Sequence, residues 1–293
     1  MKIVTFKDKN NAENYRIGAL ISDNEIVDLT ALASNESLTA NDLLKCFDLE
    51  TDFLGDAEAA ISDDVLPKIN RENIELCAPV PRPPKILCVG LNYRDHAEES
   101  GMPIPKSPII FSKFTNCAIG ANQPIILPAR SEQVDYEAEL AFIVGRRAKN
   151  VSCEEAMNYV LGYTNFNDVS ARDFQFADGQ WQRGKSCDTF APMGEFIATT
   201  DEIKDPNNLQ IQFRLNGETL QNSNTKELIF KIPEIIEFLS ASITLEVGDV
   251  IATGTPPGVG FARKPPIFMK DGDTAEVEIE GLGILSNSVK SEK

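Results

Sequence analysis

A proline-rich segment divides this chain of 293 residues into two unequal parts. Residues 77–85 read CAPVPRPPK, with four prolines in nine positions. Proline fixes φ and removes a backbone donor, so such a run interrupts regular structure and favours an extended connection. We therefore predict a small N-terminal domain over residues 1–76, a linker over residues 77–85 and a larger domain over residues 86–293.

Short β-rich runs and two helical patterns indicate that residues 1–76 form a small α/β domain. Ser22-Asp23-Asn24 suits a hairpin turn, and Thr39 with Asp42 resembles a helix-starting capping box. The predicted strands of this part are residues 2–6, 15–21 and 26–29, and its predicted helices are residues 39–47 and 56–61.

Strand signals dominate residues 86–293, so we expect a β-rich α+β protein. A helix is predicted from Ser152, with Glu155 completing a capping box, and Asn216-Gly217 marks a tight hairpin. The other predicted elements are strands at residues 86–89, 109–111, 133–144 and 276–279 and a helix at residues 232–242.

The acidic composition argues against two classes of partner. Lys plus Arg number 28 against 45 Asp plus Glu, which gives a formal net charge of -17. Such a chain repels phosphate backbones and anionic lipids, so we expect no nucleic-acid and no membrane partner. The first ten residues lack an apolar leader segment, and we expect a cytoplasmic protein. A carboxylate-bearing ligand would need a local cation, either a metal, a lysine or an arginine.

Three acidic residues alternate in the predicted strand over residues 133–144. Because side chains alternate across a strand, Asp135, Glu137 and Glu139 should share one face. Neighbouring carboxylates raise each other's pKa unless a cation compensates, and hard divalent ions prefer such oxygen ligands. The pattern indicates a metal site; the alternative is a solvated acidic face on an edge strand.

Two further segments contain residues suited to the same chemistry. Asp168 lies near the junction of a β-like run and a short helix, where it would add a third oxygen ligand. Arg172 and Gln175, three apart on that helix, would hold a substrate carboxylate or oxo group, and a surface ion pair is the alternative for Arg172. Lys185, in Gly-Lys-Ser, would neutralise a developing enolate, or is an ordinary solvated lysine.

The only histidine, His96, precedes Glu99 by three residues. On a helix the carboxylate would contact the imidazole, orient it and strengthen its basicity. Histidine suits proton transfer near pH 7, so His96 is a candidate general base. An exposed histidine that caps a helix is the alternative.

Residues 254–260 read GTPPGVG, which holds too many glycines and prolines for regular structure. We expect their backbone amides to form a turn that faces a ligand. No Walker pattern is present. The shape of the pocket should depend on the loops at residues 178–182 and 261–266.

Five motifs resemble, in their order and separations, those of the fumarylacetoacetate hydrolase superfamily: GLNYRDHAEE, VDYEAEL, NDVSARDFQ, RGKSCDTFAP and ATGTPPGVG. The resemblance covers residues 84–293 and is closest to the mammalian domain-containing-protein-2 group and to bacterial diketo-deoxy-sugar-acid hydrolases. It implies a mixed β-sandwich roll preceded by a small α/β domain, usually assembled as a homodimer.

The resemblance also implies a role for each candidate residue. Mg²⁺ or Mn²⁺, with Ca²⁺ as an alternative, would bind to Glu137, Glu139 and Asp168. A water-activating dyad would consist of His96 and Glu99. The residues implied to contact a small 2-oxo acid substrate are Arg172, Gln175, Lys185, Gly254 and Thr255.

The resemblance and these residues together lead us to expect a Mg²⁺-dependent hydrolase that cleaves a C–C bond of an acylpyruvate or 2,4-dioxo acid. The substrate's carboxylate and 2-oxo group would bind the metal, His96 would deprotonate the attacking water, and Lys185 would stabilise the pyruvate enolate. The same enolate arises in oxaloacetate tautomerisation or decarboxylation, and a related 2-hydroxydienoate isomerase would use the same site. A non-catalytic metal-binding protein is a further alternative, but a structural metal site alone does not explain why the dyad and Lys185 are present.

Overall fold

Two β-sheets that contact each other form the framework of the molecule. The computed structural model describes residues 1–9, 11–33, 38–99, 101–177 and 179–292. Its strands are β1 (Lys2–Asp8), β2 (Asn11–Ser22), β3 (Glu25–Asp28), β4 (Lys68–Asn70), β5 (Ile74–Leu76), β6 (Ile86–Gly90), β7 (Ile109–Lys113), β8 (Ala118–Ile119), β9 (Ile125–Leu127), β10 (Val134–Asp135), β11 (Ala138–Val144), β12 (Val160–Asn167), β13 (Ser170–Ala171), β14 (Ala191–Pro192), β15 (Ile197–Thr199), β16 (Gln210–Leu215), β17 (Glu218–Asn224), β18 (Val250–Ala252), β19 (Thr274–Ile279) and β20 (Gly283–Ser291). Its α-helices are α1 (Ala40–Cys46), α2 (Phe53–Ser62), α3 (Arg94–Glu99), α4 (Arg172–Ala177), α5 (Gln182–Lys185) and α6 (Ile232–Ser242).

The larger sheet joins both parts of the chain. Its strand order is β4-β3-β2-β1-β15-β12-β11-β18-β6-β7, and β5 also pairs with β1. The sheet is mixed, because β18 and β6 run parallel while β11 runs antiparallel to both of its neighbours. The smaller sheet has the order β17-β16-β19-β20-β9. The strand-rich α+β class predicted from the sequence is confirmed.

Strands β11 and β12 lie where the two sheets contact each other, β11 against β16 and β19, and β12 against β19 and β20. Every residue of β11 and β12 is buried. Tyr136, just before β11, stacks on Phe213 of β16 with 4.0 Å between ring centroids. A charged side chain on these strands is therefore held away from water, where it needs a polar or charged partner.

Most of the predicted elements are confirmed. Thr39 and Asp42 form the capping box of α1, and α6 begins and ends where the sequence predicts, with a proline in its first turn. The turn between β16 and β17 has φ of 52° at Asn216 and 81° at Gly217, the backbone that this dipeptide favours in hairpins.

Two predictions about individual elements were wrong. The helix expected from Ser152 is absent from this described segment, which instead has a 3₁₀ turn at Ala156–Tyr159, and Glu155 makes no side-chain capping bond. The segment is a short connection, since the backbone turns at Asn150, with φ of 54°, and β12 begins at Val160. The strand expected over residues 133–144 is interrupted, since β10 ends at Asp135 and β11 begins at Ala138.

Residues 77–85, all of them described, contain neither helix nor strand, although residues 77–80 are buried. Strand β1 pairs with β15 through Lys2 and Ile3, so the strands before and after this segment share one sheet. The position of a domain boundary within residues 77–85 stays a prediction. None of the helices in the described ranges combines the length and the apolar character needed to cross a membrane.

Candidate active site

Three carboxylates meet at one end of the β11–β12 pair, and we call Glu137, Glu139 and Asp168 the acidic cluster. Glu139 is on β11, Glu137 lies just before it, and Asp168 follows β12 directly. The antiparallel register places Ala138 opposite Asn167, and the amide of Asp168 donates to the carbonyl of Glu137 at 2.9 Å. One oxygen of each carboxylate lies within 4.8 Å of the others, and all three residues are buried.

Three buried cationic side chains contact the acidic cluster. Lys185 Nζ lies 2.9 Å from Glu137 Oε2 and 2.7 Å from Asp168 Oδ2. Lys113 Nζ donates to the other oxygen of Asp168. The guanidinium of Arg172 lies 2.6 Å from Glu137 Oε1. Both oxygens of Glu137 and both oxygens of Asp168 are thus paired with a cation.

These cations do not act equally on the acidic cluster. Burial raises the pKa of Glu137, but the charges of Lys185 and Arg172 outweigh burial and lower it to about 2. Burial and the charges of Asp168 and Glu137 raise the pKa of Glu139 well above its usual range. Burial lowers the pKa of Lys185, but the charges of Asp168 and Glu137 outweigh it and raise that pKa. Glu139 is therefore the carboxylate of the acidic cluster whose negative charge is least compensated.

A hard divalent cation fits this donor set. Across the described part of the chain, the one hydrogen bond that Glu139 accepts comes from the amide of Gly254, at 2.8 Å. A buried carboxylate with so little compensation carries an energetic cost that a bound cation would remove. Carboxylate oxygens are the ligands that Mg²⁺ and Mn²⁺ favour. The acidic cluster is thus suited to hold such an ion.

A glycine-rich loop, residues 254–261, connects the acidic cluster with the histidine segment. The amide of Gly254 binds Glu139, and the amide of Gly258 donates to Glu99 Oε2 at 3.1 Å. Gly258 has φ of 101°, and an added Cβ would lie 2.2 Å from Leu220 O, so only glycine fits there. The amides of Gly254 and Gly258 bind carboxylates of the protein itself, and contact of this loop with a ligand stays a prediction.

His96 and Glu99 lie on α3, as the spacing of three residues predicts. His96 Nδ1 is 3.2 Å from Glu99 Oε2, and the His96 ring is mostly buried. We assign a proton to Nδ1 because the carboxylate can only accept, which leaves Nε2 with a free lone pair in the neutral ring. The contact between the two residues is confirmed, and their role as a catalytic dyad stays a prediction.

The residues expected to bind substrate already have partners within the protein. Arg172 Nη1 donates to Gln175 Oε1 at 2.9 Å, so the two share one face of α4 as predicted. Thr255 Oγ1 donates to Ala138 O at 2.9 Å and accepts from Gln221 Nε2 at 2.9 Å. Thr255 is therefore held against the backbone between the two glutamates of the acidic cluster. Contact of these residues with a substrate stays a prediction.

The two loops expected to shape the pocket each place an aromatic ring near the buried cations, Phe261 directly on Arg172 and Trp181 through Phe111 of β7. Asp178 lies outside the described residues. Trp181 meets Phe111 edge-on with 5.4 Å between centroids, and Lys185 Nζ lies 4.9 Å from the centroid of the same Phe111 ring. The Phe261 ring lies 4.5 Å from the guanidinium carbon of Arg172. Such rings favour a nearby cation and keep water from it.

Sequence reasoning missed two residues of the site and misplaced a third. Lys113 is the last residue of the mostly apolar strand β7. A lysine that directly follows apolar strand residues can indicate a buried ion pair, because lysine is rarely buried without a partner. Gln221 is fully buried on β17, and nothing in its sequence context marks it. Asp135 is not part of the acidic cluster, because the interruption after β10 turns its carboxylate toward Arg172 and the amides of residues 260 and 261.

Comparison with known proteins identifies the family. Residues 85–290 match the model of the fumarylacetoacetate (FAA) hydrolase C-terminal domain. The chain is 44% identical to a protein of Xenopus laevis named as a mitochondrial oxaloacetate tautomerase, over 99% of this chain and 90% of that one. Fumarylacetoacetate hydrolase from Exiguobacterium antarcticum has a similar structure, with a TM-score of 0.86, 37% identity and 100% coverage of both chains.

A second solved structure bears on the metal. Maleylpyruvate hydrolase from Sphingobium sp. SYK-6, in complex with manganese(II) and pyruvate, has a TM-score of 0.82 and 31% identity, with 100% of both chains covered. The match of the family model covers well over half of the chain, and the Xenopus laevis relative aligns along nearly all of it. The chain therefore belongs to the fumarylacetoacetate hydrolase family of enzymes, as its five motifs predict.

Proposed function

We propose that this enzyme is an oxaloacetate tautomerase, which interconverts the enol and keto forms of oxaloacetate. The observation that carries the proposal is the 44% identity, along nearly the whole chain, to a relative named for that activity. A similarly named bovine protein is 47% identical over 81% of this chain. The sequence favours hydrolysis first and tautomerisation second, and these relatives support the reverse order.

The charges of the site support a small anionic substrate. The site contains four carboxylates and three cationic side chains, so its net charge is −1 when all of them are ionised. A bound divalent cation would change this net charge to +1. These groups are Asp135, Glu137, Glu139, Asp168, Lys113, Arg172 and Lys185. A locally positive, buried site within a chain of formal charge -17 would bind a 2-oxo dicarboxylate selectively.

The chain's own residues supply the proton transfer that the reaction needs. In ketonisation the enol loses the proton of its C2 hydroxyl group and gains a proton at C3. The hydroxyl proton would pass to Nε2 of neutral His96, which Glu99 orients, and His96 would then deliver a proton to C3 from the same atom. The ammonium of Lys185 would donate a hydrogen bond to the C2 oxygen as negative charge collects there. When bound at the acidic cluster, a divalent cation supplies further electrostatic stabilisation of that charge.

Hydrolysis of an acylpyruvate is the second candidate function. The structural match to maleylpyruvate hydrolase favours it, because that protein has the same fold along its whole length. The dyad would then deprotonate a water that attacks the C4 carbonyl carbon; the C3–C4 bond would break, the acyl part would leave as a carboxylic acid, and the pyruvate enolate would take up a proton at C3. The two functions differ in whether water reaches the carbonyl carbon at C4 of the substrate.

An absorbance assay separates the two functions. We expect the Mg²⁺-loaded protein to accelerate the loss of the enol-oxaloacetate absorbance well beyond the buffer rate, and EDTA to abolish the acceleration. Release of pyruvate from a panel of acylpyruvates, measured in parallel, should stay at background. Pyruvate release without acceleration of ketonisation would refute the tautomerase proposal and favour the hydrolase.

The ion, the assembly and the compartment also belong to this proposal. Mg²⁺ is proposed first and Mn²⁺ second, and the manganese in the complex of maleylpyruvate hydrolase supports a divalent ion of this size. We keep the homodimer as a prediction from the family resemblance. The cytoplasmic location is a prediction that the relatives do not support, since those proteins are named as mitochondrial.

A further inference from the structure

Asp135 is a fully buried carboxylate that the proposed reaction does not use. One of its oxygens accepts from the amide of Gly260 at 2.7 Å, and the other accepts from the amide of Phe261 at 3.1 Å. The second oxygen also accepts from Arg172 Nε at 2.8 Å. Asp135 therefore connects the glycine-rich loop with the arginine that contacts the acidic cluster.

The contacts of Arg172 show what Asp135 controls. Its guanidinium is oriented on three sides, by Asp135, by Glu137 and by Gln175, while the Phe261 ring covers its face. Because the guanidinium is planar and rigid, fixing its Nε edge on Asp135 also fixes the direction of the Nη2 group that meets Glu137. One oxygen of this metal-ligand candidate is thereby held in place.

The same carboxylate also orders the loop beside the dyad. Asp135 binds the amides of Gly260 and Phe261, two and three residues after Gly258, whose amide binds Glu99. An added Cβ on Gly260 would lie 2.5 Å from Asp135 Oδ1, so the loop approaches the carboxylate as closely as glycine allows. Displacement of Asp135 would therefore disturb both halves of the site.

We propose that Asp135 is a positioning residue, which holds Arg172 against Glu137 and thereby sets the affinity of the acidic cluster for a divalent cation. Its negative charge compensates the guanidinium, so that Arg172 orients Glu137 without repelling a cation bound nearby. The inference rests on the proposed function only in placing the ion at the acidic cluster.

Mn²⁺ titration of the whole protein tests this inference without substrate. The variant Asp135→Asn keeps the shape of the side chain, but its amide group cannot accept from Arg172 and the loop amides as the carboxylate does. We expect the Kd for Mn²⁺, measured from the electron paramagnetic resonance signal of the free ion, to rise roughly tenfold to a hundredfold. Thermal unfolding in EDTA, followed for each variant, reports on folding.

Asp249 offers a matched control. It is another fully buried aspartate, and it pairs with Lys85 at 2.7 Å and accepts from the amide of Glu246 at 2.7 Å, outside the acidic cluster. We expect Asp249→Asn to lower the melting temperature and to leave the Kd for Mn²⁺ within about twofold. An equal change of Kd in the two variants would overturn the inference, because a loss of stability alone would then explain it.

A second variant keeps the test decisive if Asp135→Asn folds poorly. Arg172→Lys retains the charge and loses the planar fork, so it cannot bridge Asp135 and Glu137 in the same way. We expect it to weaken Mn²⁺ binding to a similar extent, and the double variant to be no weaker than either alone. Parental affinity in Arg172→Lys would overturn the inference. Mn²⁺ binding that follows these expectations in an enzyme inactive on enol-oxaloacetate would refute only the proposed substrate.

Discussion

Removal of the Lys185 ammonium should change metal affinity and catalysis in opposite directions. Lys185 is 2% exposed and pairs with Glu137 and Asp168 at 2.9 and 2.7 Å. In Lys185→Met these carboxylates each lose a cationic partner, and breaking such a buried pair costs about 3–5 kcal/mol. The metal-free variant should therefore unfold at a clearly lower temperature than the parent.

The effect on the metal follows from the sign of the charge. Two unit charges about 4 Å apart interact by roughly 4 kcal/mol at an effective dielectric constant of about 20. The Lys185 ammonium contacts two of the proposed ligands, so its loss removes a repulsion of this order from a cation at the acidic cluster. Rearrangement of the freed carboxylates will cancel part of this gain in binding free energy. We therefore expect Mn²⁺ to bind at least about tenfold more tightly, equivalent to about 1.4 kcal/mol.

Turnover should fall at the same time, because the donor to the developing enolate is gone. Loss of one such preorganised donor typically costs about 10²–10³ in kcat. The assays are Mn²⁺ titration, thermal unfolding with EDTA and with saturating Mn²⁺, and the ketonisation rate. Lys85→Met is the control, since Lys85 pairs with the buried Asp249 outside the cluster and should affect stability alone. Mn²⁺ binding no tighter than in the parent, in a folded Lys185→Met variant, would refute the electrostatic argument.

Three further predictions concern the dyad, the pH dependence and the loop. His96→Ala should abolish ketonisation and leave Mn²⁺ affinity nearly unchanged, whereas Glu137→Ala should weaken both; parental turnover in His96→Ala would show that the dyad assignment is wrong. Because the raised pKa of Glu139 makes the ion compete with a proton, Mn²⁺ affinity from calorimetry should rise with pH over the range in which Glu139 loses its proton, and a flat profile would contradict this. In the metal-free protein, protonation of Glu139 stabilises the folded state, because its pKa is higher in the folded than in the unfolded chain. This stabilisation is complete below the unfolded pKa of about 4.3 and disappears as pH rises through the folded pKa. The unfolding temperature should therefore fall over that pH range. Gly258→Ala should lower kcat at least about tenfold, because it displaces the amide that binds Glu99. Gly272→Ala is the control: Gly272 has φ of 89° and nothing lies within 4 Å of the added Cβ, so this variant should lose about 1–2 kcal/mol of stability and no activity. Equal turnover rates in the two glycine variants would refute the role of the loop.

Local patterns in the sequence suffice for the parts of the site that lie on regular structure. The period of two places Glu137 and Glu139 together because β11 is regular from Ala138 onward, and the spacing of three brings His96 to Glu99 because α3 is a helix. The period fails at Asp135, where the stacking of Tyr136 on Phe213 accompanies the break between β10 and β11. Tertiary packing there overrides the alternation.

Contacts between distant segments could not be predicted from spacing. Lys113 and Asp168 are 55 positions apart, and Gln221 and Thr255 are 34 apart, so only the fold brings each pair together. The choice between hydrolase and tautomerase has the same origin. Both reactions would pass through an enolate of a 2-oxo acid beside the same charged groups, and they would differ in the access of water to C4 of the substrate, which depends on how the loops pack.

The buried cations explain how the acidic cluster can exist before any ion binds. Carboxylates this close together would not stay ionised in a protein interior without compensation, and Lys113, Lys185 and Arg172 supply it for Asp168 and Glu137. The ammonium groups of Lys113 and Lys185 also oppose a metal, since each repels a cation placed beside its carboxylate. Glu139 resolves the conflict, because it lacks a cationic partner among the described residues and keeps an uncompensated oxygen for the ion. The fold thus divides the acidic cluster into two carboxylates paired with cations and one, Glu139, that would favour a bound metal, and we expect Lys185→Met to shift that balance toward the metal.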